Sequence, residues 1–203
     1  MTSEKHRLKK EDWSGLISDM KSRDEFLLCA CDFSLNRPGF ALLHVDVRNQ
    51  KAAVLSTCVV DNKTKARDMT KPRGEKLMEI GEKLLEYGKD ADVFVRERGL
   101  SRFNAEVQAL FTVVGVSDYL AYTHLRESRF AELAPASVKK WITGKGTAGK
   151  EEVAARLNIY VGKREYEFDD ESDAVAVGVA WLIQNGFLPQ EEQGGKEDAG
   201  HTG

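Results

Sequence analysis

Two acidic residues one helical turn apart are the first candidates for chemistry in this chain. Asp170 and Asp173 stand at the start of a predicted helix, on the face that Val177 and Trp181 continue into an apolar core. The free backbone N–H groups and the dipole of a helix favour acids at its N-terminus. Two carboxylates at this spacing also supply half of a site for a hard divalent cation, which takes oxygen ligands. On their own, these residues fit both a helix cap and a metal site.

Two more acids end predicted strands. Asp32 lies near the end of a nearly continuous apolar run over residues 25–33, which is typical of a strand buried on both faces. Glu97 ends another short apolar strand. If the two strands are neighbours in a sheet, both acids lie at one edge of it. A helix that brings Asp170 and Asp173 to that edge then completes a cluster of four carboxylates.

The elements that must position these acids are predicted in the order β-β-β-α-β-α-β-α-α. Strands are predicted over residues 25–33, 40–47, 52–60, 92–97 and 130–134. Helices are predicted over 74–88, over 103–122, from 137 to 157 with a break at 144–149, and over 168–185, and the broken helix counts once in this order. Short connections between the first three strands indicate an antiparallel meander. The strands and helices that follow predict a mixed five-stranded α/β sheet that is flanked by helices.

Composition indicates one domain with an appendage at each end. The 203 residues are 41% hydrophobic and 31% charged, as in ordinary soluble globular proteins, and no apolar run is long enough to cross a bilayer. Residues 25–188 are predicted to form the domain. Residues 1–24 are predicted to be a polar N-terminal extension without a signal peptide, and residues 189–203 a disordered tail. The three cysteines are expected to be buried free thiols in a reducing compartment.

Basic residues are concentrated between positions 126 and 164, although the net charge of the chain is −3. Within this region the turn at 144–149 satisfies the pattern G-x-G-x-x-G, and with Lys150 it nearly satisfies the phosphate-binding spacing G-x-x-x-x-G-K-[ST]. A nucleotide-binding loop needs a buried strand before it, whereas a helix is predicted here. Glu151 also stands where a phosphate-binding loop requires Ser or Thr. The turn is therefore expected to touch a phosphate backbone and not to bind a nucleotide.

The residues around Glu97 leave two interpretations open. Arg96, Arg98 and Arg102 are either solvated charges at a strand end or ligands of phosphates, and the sequence favours neither. Phe103 stands at helical spacing with other apolar residues and is a core residue by default.

Four segments of the chain resemble RuvC-type Holliday junction resolvases, particularly phage-like members. Residues 32–41 (DFSLNRPGFA) look like the family's first-strand signature, and Glu97 matches the acid that ends its fourth strand. Residues 134–150 resemble its segment of two basic residues around a Gly-x-Gly turn, and residues 170–177 (DESDAVAV) resemble its closing helix. The resemblance spans about residues 26–186, in order and at suitable spacing.

The sequence departs from the family pattern at two positions. Phe33 replaces the proline that usually follows the first aspartate, a change that phage-type members tolerate. Leu100 stands where the family tends to place an aromatic residue that wedges into the junction, and Phe103 follows one turn later. The second departure leaves the cleavage chemistry unchanged and bears on junction opening and sequence preference.

The resemblance implies an RNase H-like fold and an endonuclease that uses Mg²⁺ or Mn²⁺, two ions per site, to resolve four-way or branched DNA by symmetric hydrolysis. The implied catalytic residues and metal ligands are Asp32, Glu97, Asp170 and Asp173. The implied nucleic-acid contacts are Lys139, Lys140, Lys145, Lys150, Arg98, Arg102 and Phe103. Asp169 and Glu171 are predicted to be ordinary surface acids.

The resemblance also implies a homodimer, and its interface is expected to be the apolar helix over residues 103–122. It implies a cytoplasmic protein of a bacterium or phage-infected cell, acting in recombination, repair or phage DNA processing without membrane or nucleotide cofactor. Two alternatives remain within the fold: a nuclease for flaps or RNA–DNA hybrids, and a non-catalytic relative that binds DNA junctions. An α/β binding module unrelated to nucleases is a third.

Overall fold

A computed structural model of the protein describes residues 13–62, 71–99, 105–125 and 130–190. The strands are β1 (Glu25–Asp32), β2 (Gly39–Asp46), β3 (Lys51–Val59), β4 (Val93–Glu97) and β5 (Phe130–Leu133). The helices are α1 (Ser14–Ser22), α2 (Arg73–Gly88), α3 (Ala105–His124), α4 (Pro135–Thr143), α5 (Lys150–Val161) and α6 (Asp169–Gln184). The strands form one sheet in the order β3-β2-β1-β4-β5, so the predicted five-stranded sheet flanked by helices is confirmed.

The strand pairing explains how two acids far apart in the sequence reach one edge. β1, β2 and β3 form the predicted antiparallel meander, in which Asp32 pairs with Gly39. β1 and β4 are parallel neighbours, and Cys31 pairs with Arg96. Asp32 and Glu97 each follow that pair by one residue. Their strands therefore deliver both carboxylates to the same end of the sheet.

Helices on both faces of the sheet account for the apolar run in β1. Leu28 and Ala30 belong to the core under α4, α5 and α6. Cys29 and Cys31 alternate with them and belong to the core under α2 and α3. Both cysteines are buried free thiols, as predicted, whereas Cys58 on β3 is only partly buried. A central strand covered on both sides has no polar face, which is why its sequence does not alternate.

α6 is seated closely on the sheet. All its residues from Ala174 to Ile183 are buried, and Gly178 faces the strands. A Cβ atom on Gly178 would lie 3.0 Å from Cβ of Ala30, so the absence of a side chain permits this approach. A helix packed this closely has little freedom to slide. Its acidic first turn is consequently fixed over the sheet edge.

The described part of the N-terminal extension packs on the domain. Met20 of α1 is fully buried in the same core as α6. Arg23, just after α1, pairs with Asp92 before β4, with 2.8 Å between Nη1 and Oδ1. In the described ranges, no helix is both long and apolar enough to span a membrane.

Candidate active site

The four predicted site acids converge on the edge formed by the ends of β1 and β4. Asp32 and Glu97 come from the strand ends, and Asp170 and Asp173 come from the first turn of α6. All four side chains are partly buried. They lie close enough to influence one another's ionisation, although no single local segment of the sequence contains all of them.

The ionisation of the two strand-end acids shows the repulsion at this edge. Burial raises the pKa of Asp32 to about 7, and the charges of Asp173 and Asp170 act in the same direction. Burial likewise raises the pKa of Glu97 to about 7, with the charges of Asp32 and Asp173 adding to it. Like charges that are withdrawn from water favour the protonated form of each acid. A bound cation would relieve this repulsion.

Two lysines oppose the negative charge. Lys150, the first residue of α5, donates a hydrogen bond from Nζ to Oδ2 of Asp173 at 3.1 Å. This hydrogen bond is the main cause that raises the pKa of Lys150. Lys139 on α4 favours the ionised form of Glu97. The structure thus brings these two predicted DNA contacts next to the carboxylates.

The turn between α4 and α5 is held by a buried threonine. The hydroxyl of Thr143 lies 2.8 Å from the carbonyl oxygen of Lys139 and accepts the N–H of Lys145 at 3.1 Å. Gly144 ends α4 with φ of 79°, in the left-handed region that favours glycine. A helix precedes the turn, as the sequence predicted. Its Gly-rich sequence is explained by the sharp connection that places Lys150.

α6 reaches the edge because Gly39 has no side chain. Gly39 is the pairing partner of Asp32, and a Cβ atom on it would lie 2.0 Å from the carbonyl oxygen of Asp170. The backbone of β2 therefore supports the first turn of α6 directly, beside Asp32. The glycine of the first-strand signature has a steric role in assembling the site.

The prediction that Glu171 is an ordinary surface acid is wrong. Glu171 is only 9% exposed. Its Oε2 accepts the backbone N–H of Glu167 at 2.8 Å and that of Phe168 at 3.4 Å. Oε1 accepts the hydroxyl of Thr57 on β3 at 3.0 Å. Glu171 therefore satisfies backbone donors at the start of α6, as an acid at the third helical position can, and ties that turn to β3. Asp169 is exposed, as predicted.

Replacing Glu171 by Ala is expected to lower the free energy of unfolding by about 2 kcal/mol, because backbone donors and Thr57 lose their acceptor. Thr57→Val is expected to cost about 1 kcal/mol, since it removes only one hydrogen bond. The control is Ser172→Ala in the same turn, whose hydroxyl donates to the carbonyl of Asp169 at 2.7 Å. That change should cost at most about 0.5 kcal/mol. Urea unfolding measures all three, and equal losses for Glu171→Ala and Ser172→Ala would contradict the assignment.

Arg96 takes neither of the roles that the sequence left open. Its buried guanidinium donates from Nη2 to Oε1 of Glu132 at 2.7 Å and from Nη1 to Oδ1 of Asp118 at 2.6 Å. Its Cζ lies 4.7 Å from the ring centroid of Phe130. Arg96 is therefore a structural residue that ties α3 and β5 to β4, on the side of the strand opposite to Glu97.

The other predicted nucleic-acid contacts lie at varying distances from the edge. Arg98 is exposed just beyond β4, and its N–H donates to the carbonyl of Leu133 at 2.7 Å. Lys140 is exposed on α4, and Lys145 pairs with Glu152, with 3.5 Å between Nζ and Oε1. The remaining predicted contacts, Arg102 and Phe103, lie outside the described residues, as does Leu100.

The acids fit a hard divalent cation in charge and in donor chemistry. They offer only carboxylate oxygens, and the raised pKa values of Asp32 and Glu97 reflect burial and repulsion that a cation would offset. Over the described ranges, however, no three Asp, Glu, His or Cys side chains come close enough together to hold an ion. The ammonium group of Lys150 provides positive charge beside Asp173 instead. The assignment of the four acids as metal ligands stays a prediction.

The arrangement of the strands, helices and acids is that of the RNase H-like fold class. An antiparallel meander, parallel β4 and β5, and a closing helix that faces the first strand form the RNase H-like arrangement that the sequence resemblance implies. The acids occupy two neighbouring strand ends and the closing helix. This is the fold class predicted from the sequence.

Comparison with known proteins identifies RuvC as a relative in sequence and in fold. The chain is 33% identical over 93 residues to the crossover junction endodeoxyribonuclease RuvC of Brachyspira hyodysenteriae, an alignment that covers 40% of this chain and 57% of that protein. The chain thus matches just over half the length of this curated relative. No family model matches the chain.

Solved structures of RuvC from Thermus thermophilus share the fold. RuvC in complex with a Holliday junction substrate has a TM-score of 0.66 and 21% identity, covering 78% of this chain and 94% of that one. A further RuvC structure has a TM-score of 0.64 and 22% identity, covering 77% and 93%. The predicted resemblance to RuvC-type resolvases and the predicted fold class are confirmed.

Proposed function

We propose that this protein is a metal-dependent endonuclease that resolves four-way or branched DNA junctions. The observation that carries the proposal is the convergence of Asp32, Glu97, Asp170 and Asp173 on one sheet edge beside Lys139 and Lys150. A carboxylate edge attracts cations, and lysines next to it attract phosphates. The similarity to RuvC supports the same function from the sequence.

The four acids would hold Mg²⁺ or Mn²⁺, two ions per site. Such ions supply a nucleophilic water at neutral pH and stabilise the leaving oxygen during phosphodiester hydrolysis. Asp32 lies between β4 and the first turn of α6 and is the proposed shared ligand. Lys150 has a further proposed role. A phosphate oxygen of the substrate competes with Asp173 for the ammonium group of Lys150. Substrate binding thereby frees an oxygen of Asp173.

The proposed assembly is a homodimer through α3, which would present two sites to the two strands of a junction. α3 exposes Phe111, Tyr119 and Tyr122 at 55%, 66% and 78% of their surface, while Val113 and Ala121 are buried in the core. Large aromatic side chains exposed along one helix are typical of interfaces. Sedimentation of the full chain should give the mass of a dimer, and Tyr119→Glu should shift it toward a monomer.

A synthetic four-way junction incubated with the protein and Mg²⁺ tests the activity. We expect paired nicks at symmetric positions, with much slower cleavage of a linear duplex of the same sequence. A flap substrate and an RNA–DNA hybrid belong in the same experiment. Preferred cleavage of either would favour another RNase H-like nuclease, and junction binding without cleavage would favour the non-catalytic relative.

Divalent metal is expected to raise the melting temperature of the protein. An ion that binds only the folded state stabilises it by about 2.7 kcal/mol at 100 times its Kd. Mg²⁺ or Mn²⁺ should therefore raise Tm by several degrees, and EDTA should reverse the rise. NaCl at matched ionic strength is the control for screening. An equal response to NaCl and to divalent ions would favour the unrelated binding module.

A further inference from the structure

A second basic surface lies across the sheet edge from Lys139 and Lys150. It forms where the β1–β2 connection, the end of β3 and the beginning of α2 meet. We name it the Asn62 cradle, and it consists of Arg37, Asn62, Lys71 and Lys76. α2 covers one face of the sheet, whereas α4 and α5 cover the other. Lys71 and Lys76, at the beginning of α2, therefore lie on the opposite face of the sheet from Lys139 and Lys150.

One buried amide organises the cradle. Asn62 is only 2% exposed, and its backbone N–H donates to the carbonyl of Asn36 at 2.8 Å. Its Nδ2 lies 3.4 Å from the carbonyl oxygen of Leu35 and 3.5 Å from that of Lys76. Its Oδ1 accepts a hydrogen bond from Nζ of Lys71 at 3.1 Å. A single side chain thus fixes three chain segments relative to one another.

The lysines of the cradle are oriented mainly by neutral groups. Nζ of Lys76 donates to Oδ1 of Asn36 at 2.8 Å. An amide oxygen orients an ammonium group without cancelling its charge, as a carboxylate would. Lys71 combines the amide of Asn62 with the carboxylate of Glu79. Among the ion pairs of the described residues, the three cations of the cradle meet two carboxylates, those of Glu79 and Asp61, which leaves a positive excess.

Arg37 links the cradle to the first turn of α6. Its Cζ lies 4.8 Å from the ring centroid of Phe168, two residues before Asp170. Its Nη2 pairs with Oδ2 of Asp61 at 3.1 Å, and the hydroxyl oxygen of Ser34 accepts its backbone N–H at 2.9 Å. Its buried Nε has no hydrogen-bond acceptor in the part of the chain that the structure describes. Stacking and one carboxylate hold the guanidinium in place, and its further Nη N–H donors are suited to a phosphate.

We propose that the Asn62 cradle binds the DNA phosphate backbone on the side of the carboxylate edge opposite to Lys139 and Lys150. This inference rests on the proposed function and identifies a contact surface for its substrate. The amide of Asn62 is sufficient to hold the β1–β2 connection, the end of β3 and the beginning of α2 together. The charge of Lys76 is not needed for this structural role. A strand cleaved at the edge continues in both directions, so its backbone has phosphates on both sides. The cradle supplies cations for the phosphates on the side of the cleavage site away from Lys139 and Lys150.

The test is the salt dependence of four-way-junction binding, measured in EDTA so that no cleavage occurs. Lys76→Gln keeps a donor for Asn36 and removes the charge. It should weaken binding about fivefold and reduce the slope of log Kd against log salt by about one, because one phosphate contact is lost. Lys89→Gln, about 20 Å away at the other end of α2, is the matched control. It should bind as the unchanged protein does.

Arg37→Gln should reproduce the loss of slope, and melting temperatures establish that each variant is folded. If Lys76→Gln and Arg37→Gln retain the full slope while the unchanged protein cleaves junctions, the cradle only anchors loops. The inference is then overturned and the proposed function stands. If the unchanged protein neither binds nor cleaves branched DNA, both are overturned.

Discussion

Asp32→Asn is expected to abolish cleavage of four-way junctions and to leave junction binding intact. Asn keeps the size of the side chain but removes the charge and one strong metal-ligand oxygen at the centre of the carboxylate edge. Cleavage should fall by at least roughly 10³-fold, since the charge acts on the reacting groups themselves. The affinity for junctions depends mainly on basic residues and should change little. Cleavage gels and binding titrations measure the two effects separately.

The same variant should be more stable than the unchanged protein when metal is absent and the pH is high. The carboxyl of Asp32 has a pKa of about 7 in the folded protein. In an unfolded chain the pKa of an Asp side chain is about 3.9. The folded state therefore binds more protons between these values, and stability is lost as the pH rises through 7. At pH 8 in EDTA, Asp32→Asn should gain about 2 kcal/mol, a value discounted because Asp32 is only partly buried.

At pH 5 most of this difference should vanish, because Asp32 of the folded protein is then protonated. Divalent metal should raise the melting temperature of the unchanged protein and have a much smaller effect on Asp32→Asn.

Asp169→Asn is the matched control, since Asp169 is exposed at the start of the same helix. It should cleave within about twofold of the unchanged protein. Cleavage by Asp32→Asn at the normal rate would remove Asp32 from the proposed site.

The fold was predictable from the sequence where local patterns record burial. The unbroken apolar run of β1 predicted a central strand, and the structure covers this strand on both faces. Short connections predicted the meander. The sequence left open whether β1 and β4 are neighbours, and the structure pairs them in parallel. Boundaries were less predictable: α4 begins at Pro135 and not at residue 137, because proline suits the first helical position.

The roles of several charged residues were not predictable, because their partners lie far away in the chain. Glu171 is followed by an apolar helix and preceded by acids, which indicates a solvated cap, yet its partner Thr57 is 114 positions away. Arg96 stands at a strand end, yet the carboxylates of Glu132 and Asp118 pair with its guanidinium. Arg37 stands in the connection between the first two strands, and only the fold brings the ring of Phe168 next to its guanidinium. Each of these interactions depends on tertiary packing and not on periodicity.

Gly39→Ala is expected to reduce cleavage by roughly 100-fold, because a displacement of about 1 Å at a catalytic group is costly. The added Cβ atom would lie 2.0 Å from the carbonyl oxygen of Asp170 and 2.7 Å from its carbonyl carbon. Both are backbone atoms and cannot rotate away, so the first turn of α6 or the start of β2 must move. Asp170 and Asp32 then separate or change orientation. Cleavage rates and junction affinities show whether the loss lies in catalysis or in binding.

Gly178→Ala provides the comparison that separates site geometry from stability. It lies on the same helix and faces the same sheet, but its added Cβ atom would meet only side-chain atoms of Ala30, Leu28 and Leu43, at 3.0 to 3.2 Å. It should cost about 1 to 3 kcal/mol of stability through overpacking. Folded Gly178→Ala should nevertheless cleave at nearly the normal rate, because the first turn of α6 keeps its support on Gly39. If the two variants lose cleavage in proportion to their lost stability, the contact between Gly39 and Asp170 has no special role in the site.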